Sequence, residues 1–144
     1  MKHAQFLGKI DNERILTAIA DAEKKTTGQI RVFISRRDCP DPLAAAQNHF
    51  KALGMAKTEL HNAILFFIAP KSRTFAIYGD TAIHAKCGPA FWDILRDEMS
   101  AHLKEARYTD ALVHAITKAG ELLATHFPAA GSHPNEQPND ILED

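Results

Sequence analysis

Seven apolar residues, Ala63 to Ala69, run without interruption in the sequence AILFFIA. The run is short, rich in Ile and Phe, and bounded by turn residues, so it reads as a strand covered on both faces. Pro70-Lys71-Ser72-Arg73 supplies turn chemistry. Phe75 and Ile77 then alternate with Ala76 and Tyr78 until Gly79-Asp80 stops the pattern, which is the returning arm of a hairpin. Leu65, Phe66 and Phe67 are expected to be fully buried. A strand of this kind obliges the rest of the chain to supply a layer for each face.

Most of the remaining sequence has the period of helices. Asp11 is a good N-cap, Ile10 and Ile15 fit a hydrophobic staple, and Ile15, Ala18, Ile19 and Ala22 share one face. Gln29 to Ser35 alternates, with Ile30, Val32 and Ile34 on one side, and reads as a strand. Asp41 and Pro42 open a second helix whose stripe is Leu43, Ala46, Phe50 and Leu53, with Gly54 as its stop. A strand, a helix and a strand in this order predict a right-handed crossover between parallel strands. After Asp80 a loop is expected. Gly88-Pro89 then starts a helix lined by Trp92, Leu95, Met99 and Leu103. The last helix carries Leu112, Ala115, Ile116, Ala119, Leu122 and Leu123 and closes at Phe127-Pro128. The order helix-strand-helix-strand-strand-helix-helix predicts an α/β fold, a three-layer α/β/α sandwich around a small mixed β-sheet. One domain is expected over residues 1–128. Residues 129–144, dominated by Pro, Gly, Asn and acidic side chains, read as a flexible tail with at most a weak attachment at Ile141 and Leu142.

Composition narrows the function. A formal charge of -1 with no basic stripe argues against a nucleic-acid partner. Seven apolar residues fall far short of the roughly 20 that span a bilayer. Lys2, His3, Gln5 and Lys9 interrupt any apolar leader. The expectation is a cytoplasmic monomer with no membrane insertion. Cys39 and Cys87 read as reduced thiols, and neither has an arginine six positions later, which removes the cysteine-phosphatase loop. Glycine-rich nucleotide loops, nucleophile elbows and zinc-helix motifs do not occur. His102, His114 and His126 recur every twelve residues, but that spacing turns about 120° per step on a helix, so they share no face.

Several blocks together carry a resemblance to a known family. TTGQIRVFIS resembles the "TSGEIRV" segment of the TPM domain family. FKALGMAKTELHNAILFFIAPKSRTFAIYGDTAI is similar to that family's central block, and FWDILRDEM, the paired final helices and NEQPNDI continue the likeness. The resemblance implies an α/β/α fold and places the chain with shorter members that lack a membrane anchor. It implies a loose set of functions: acid phosphatase activity in one member, an auxiliary role in a receptor channel in another, and divalent metal, calcium included, in some. Three positions depart from the family pattern. Gln29 stands where many members have Glu, Ala106 where Gly is usual, and Gln137 where the tail motif has Leu.

The expected topology gathers Thr27, Gly28, Asn62, Gly79 and Asp80 at one end of the sheet. Packing alone asks for neither Asn nor Asp there. The same residues also have structural roles, Gly28 as a helix stop and Asn62 and Asp80 as turn residues. The site reading makes Asp80 the principal ligand of a hard divalent cation, Ca2+ or Mg2+, with Asp93 as second carboxylate and Thr27, Gly28, Asn62 and Gly79 lining the crevice. Asp93 also lies where a helix dipole favours a carboxylate. Two functional classes follow. One is a metal-binding module that recognises another protein. The other is a metal-assisted acid phosphatase acting on phosphomonoesters, with water as nucleophile. The sequence names no general base, which favours the module.

Overall fold

The computed structural model describes residues 1–129 and 140–144. Strand β2 (Ala63–Ala69) is apolar and buried at every position, so it cannot lie at an edge. It pairs in parallel with β1 (Gln29–Ile34), in the register Gln29↔Ala63 to Ile34↔Ile68. On its other side it pairs antiparallel with β3 (Thr74–Gly79), from Ala69↔Thr74 to Ile64↔Gly79. Arg73 closes that hairpin with a positive φ of 55°. Among the described residues the sheet has four strands, the last being β4 (Ile141–Glu143), in the order β3-β2-β1-β4.

Alternation divides the core into two halves. Ile30, Val32, Ile34, Ile64, Phe66, Ile68 and Ile77 face one helical layer. That layer holds α2 (Asn12–Glu23), α5 (Pro89–Lys104) and α6 (Tyr108–His126), with the short α1 (His3–Leu7) contributing buried Phe6. Phe33, Leu65, Phe67 and Ala76 face the other layer, α3 (Pro42–Ala52), through its Ala46 and Phe50. The three-layer sandwich expected from the sequence is therefore the fold.

The local signals act as their chemistry requires. Asp11 accepts a hydrogen bond from the Arg14 amide, and Asp41 accepts one from Ala44. Gly54 follows α3 in the left-handed conformation, φ 74°. Ala106 also adopts a positive φ, 59°, which accounts for the glycine that the family pattern prefers at that turn.

Three expectations need correction. The stretch after Asp80 is a helix, α4 (Thr81–Cys87), and not a loop. Its seven residues bury only Ile83, too little to show a helical period. Leu43 is exposed, because α3 turns Ala46 and Phe50 to the sheet and leaves Leu43 on its flank. The end of the described chain also carries more structure than a weak attachment, since Ile141–Glu143 forms β4, parallel to β1. Residues 130–139 of the expected tail lie outside the described residues.

Asp144 lies just beyond β4 and is held through its side chain. One oxygen accepts from the Ser35 hydroxyl and the other from the Arg36 amide at 2.7 Å. Burial works against its charge. These two hydrogen bonds, with Arg37 and His49 nearby, outweigh burial and hold the carboxyl below its ordinary range. A carboxylate with a lowered folded-state pKa contributes stability above its unfolded pKa and loses it as pH falls through the folded value. Asp144→Asn is therefore expected to destabilise the protein at neutral pH. The gap from wild type should close as the pH falls below roughly 4, read as the denaturation midpoint against pH. In the core, Phe67 is fully buried against Phe33 and His49, and Phe67→Ala should cost about 3 to 5 kcal/mol in a urea unfolding experiment.

Candidate functional site

The register of β1, β2 and β3 assembles one polar end of the sheet. β1 and β2 begin there, at Gln29 and Ala63, and β3 ends there at Gly79. Gln29 pairs with Ala63 on one side, and the Asp80 amide donates to the Ala63 carbonyl at 3.0 Å on the other. Tyr78 belongs to the α3 side of the sheet, so alternation puts Asp80 on that side, in one row with Gln29 and Ala63. Ala63 is the smallest side chain in the row and leaves space between the two polar ones.

Thr27, Gly28 and Asn62 close this end. The Asn62 side-chain Nδ2 donates to Thr27 Oγ1 at 3.1 Å, and the Thr27 backbone amide donates to the Phe127 carbonyl at 3.0 Å. Gly28 is required by close packing. A Cβ there would lie 2.9 Å from a Leu123 methyl and 3.1 Å from the Asn62 carbonyl oxygen. Gly79 is required for the same reason, since its Cβ would meet the Trp92 ring at 2.9 Å. Gly79 is thus a packing residue beneath Trp92. The sheet end expected from the sequence brings Thr27, Gly28, Asn62 and Asp80 together.

Asp80 is 5% exposed. Its Oδ1 caps α4 by accepting from the Thr81 amide at 2.7 Å, while Oδ2 is buried with no hydrogen bond. His61 Nδ1 lies 3.5 Å from Oδ2, an ion-pair distance without hydrogen-bond geometry. Two more buried oxygens in the segments leading to this end have no hydrogen bond, Gln29 Oε1 and Thr58 Oγ1. Leaving such acceptors unsatisfied costs about 1–3 kcal/mol each.

His61 did not emerge from the sequence. It holds a strained left-handed φ of 51°, and its carbonyl accepts from the Ala82 amide, which ties the loop before β2 to α4. Strained residues of this kind concentrate at functional sites. The available signal was its place next to Asn62, at the mouth of the buried strand.

Asp93 stands apart. It is exposed on α5 and paired with Arg96 one turn along. Together with Leu43, Tyr78, His84 and Trp92 it borders a groove of about 440 Å3 that does not include Asp80. Among the described residues no group of three or more His, Cys, Asp or Glu side chains is arranged to hold a metal ion. Any cation at Asp80 would therefore be held by one carboxylate and neutral oxygens.

Comparison with known proteins fits this architecture. The chain is similar to the BA42 protein of the psychrophilic bacterium Bizionia argentinensis, with 36% identity, a TM-score of 0.85 and 92% of each chain covered. The N-terminal domain of the cg2496 protein of Corynebacterium glutamicum shares the fold, with 20% identity and a TM-score of 0.61 over 88% of this chain and 79% of that one. No match was found among curated proteins. The TPM domain profile matches residues 1–122, and the chain belongs to the TPM domain family.

Proposed function

We propose that the chain is a protein-recognition module with a seat for one hard divalent cation, calcium or magnesium, at Asp80. The observation that carries this reading is the orphaned, buried Oδ2 of Asp80, at the end of the sheet where Gln29 Oε1 is also without a hydrogen bond. Hard cations take oxygen ligands and accept amide, hydroxyl and backbone oxygens beside a single carboxylate. Gln29 keeps an oxygen where many family members have a carboxylate, so the seat is built but carries less charge. Fewer charged ligands bind calcium more weakly, and the affinity is correspondingly modest. Asp93 plays no part in the seat, because it is engaged with Arg96 on another face. The bound ion would fix the loop before β2 against α4, through His61 and Asp80, and so shape the surface offered to a partner protein.

One observation supports the second reading, a metal-assisted acid phosphatase. His61 is half-exposed beside Asp80, which places a titratable group within reach of a phosphate held on the cation. Water would be the nucleophile, because the sequence carries no nucleophile motif.

Calcium and magnesium titrations followed by amide NMR test the seat. Wild type should show saturable shifts at Gln29, Thr58, His61 and Asp80. Asp80→Asn should abolish them, and Gln29→Glu should tighten binding severalfold by restoring a carboxylate. The absence of localised shifts in wild type at millimolar metal, or unchanged binding by Asp80→Asn, refutes it. A phosphatase assay on wild type and His61→Ala with saturating metal then separates the readings. Turnover that depends on both metal and His61 selects the enzyme, and its absence in metal-loaded protein selects the module.

A further inference from the structure

The sheet has a second polar end, distinct from the Asp80 seat. The parallel strands β1 and β2 finish there, and β4 finishes beside β1. In open α/β sheets, ligands bind outside the carboxyl ends of the parallel strands. The first residue beyond β1 is Ser35, whose side chain is fully buried. Its Oγ accepts from the Arg37 amide at 3.1 Å and lies 3.9 Å from Cys39 Sγ. Its own proton is donated to Asp144 Oδ2, and the Arg36 amide donates to Asp144 Oδ1 at 2.7 Å. Two donors from successive residues thus meet the two oxygens of one carboxylate. Arg37 Nε stands 3.8 Å away and adds positive charge, while the Arg36 guanidinium is turned to Glu143 at 3.6 Å.

Strand pairing does not demand this arrangement. The β1–β4 ladder runs from Val32↔Ile141 to Ile34↔Glu143 and ends one residue before Asp144. The carboxylate is seated by side-chain and amide donors beyond the ladder, against the buried Ser35 hydroxyl.

We propose that the Ser35 hydroxyl, the Arg36 amide and the Arg37 guanidinium form an oxyanion-binding site, and that the Asp144 side chain is its intramolecular occupant. The carboxylate stands in for an oxyanion presented by another molecule, a carboxylate or a phosphate group. A tethered occupant outcompetes dilute ligands, so the site stays closed until β4 leaves the edge of β1. β4 is three residues long and only partly buried, so its release exposes little of the core.

The test is an NMR titration of inorganic phosphate, and separately of acetate, at matched ionic strength. Asp144→Ala should show saturable shifts at the Ser35, Arg36 and Arg37 amides, and Asp144→Ala/Ser35→Ala should lose them. Wild type should need at least about tenfold more anion, because the tethered carboxylate competes, and should then move the Ile141 and Leu142 amides as the strand is displaced. A response to phosphate, to acetate or to both supports the site and names its ligand class. No localised response to either anion in folded Asp144→Ala overturns it and leaves Asp144 as a strand anchor. If that variant does not fold, wild type decides: Ile141 and Leu142 amides that stay fixed at saturating phosphate also overturn the proposal.

Discussion

The fold depends on a parallel pair of strands, β1 and β2, that have no solvent face. Every residue of both strands is buried. Parallel neighbours cannot be joined by a tight turn, so the chain must cross over between them, and α3 makes that crossing. The crossing also covers one side of the sheet. The opposite side is covered by α2, α5 and α6, whose apolar stripes meet the even-numbered residues of both strands. Layering, helix faces and hairpin direction all follow from the need to cover this pair twice.

The same constraint decides where polar chemistry can sit. With both faces covered, the two ends of the sheet present polar groups, and they differ in kind. The end where β1 and β2 begin offers buried oxygens without a hydrogen bond, at Gln29 and Asp80. Such an end suits a cation. The end where they finish offers a hydroxyl, an amide and a guanidinium converging on one carboxylate. Such an end suits an anion. The backbone register fixes both, since Gln29↔Ala63 sets the first and Ile34↔Ile68 the second. A one-residue slip would reverse every side chain and dismantle both ends together with the core.

The parts legible in the sequence are those with strong local chemistry. The apolar run of β2, the Asp11 and Asp41 caps, the left-handed Gly54 and the long amphipathic stretches each carry their own signal. From them the sheet end at Thr27, Gly28, Asn62 and Asp80 follows by topology alone. The parts that were not legible depend on distant partners. β4 is three residues long and gains its conformation from β1, more than a hundred positions away. Asp144 has meaning only beside Ser35. α4 is too short to display a period, so Asp80 looked like the start of a loop when it is a cap with one oxygen committed and one free of hydrogen bonds. Asp93 looked like a partner for Asp80 because α5 begins after the sheet returns. The intervening α4 and the pairing with Arg96 give it a different place.

The proposed cation seat at Asp80 rests on the β1–β2–β3 register. Crystals soaked in manganese, a hard divalent ion with oxygen-ligand preference, test it most directly through anomalous scattering. The account predicts a single strong protein-bound peak within about 2.0–2.6 Å of Asp80 Oδ2, on the side of the sheet that carries Gln29. A peak at Asp93 in its place, or soaked crystals with no peak near Asp80, would contradict it.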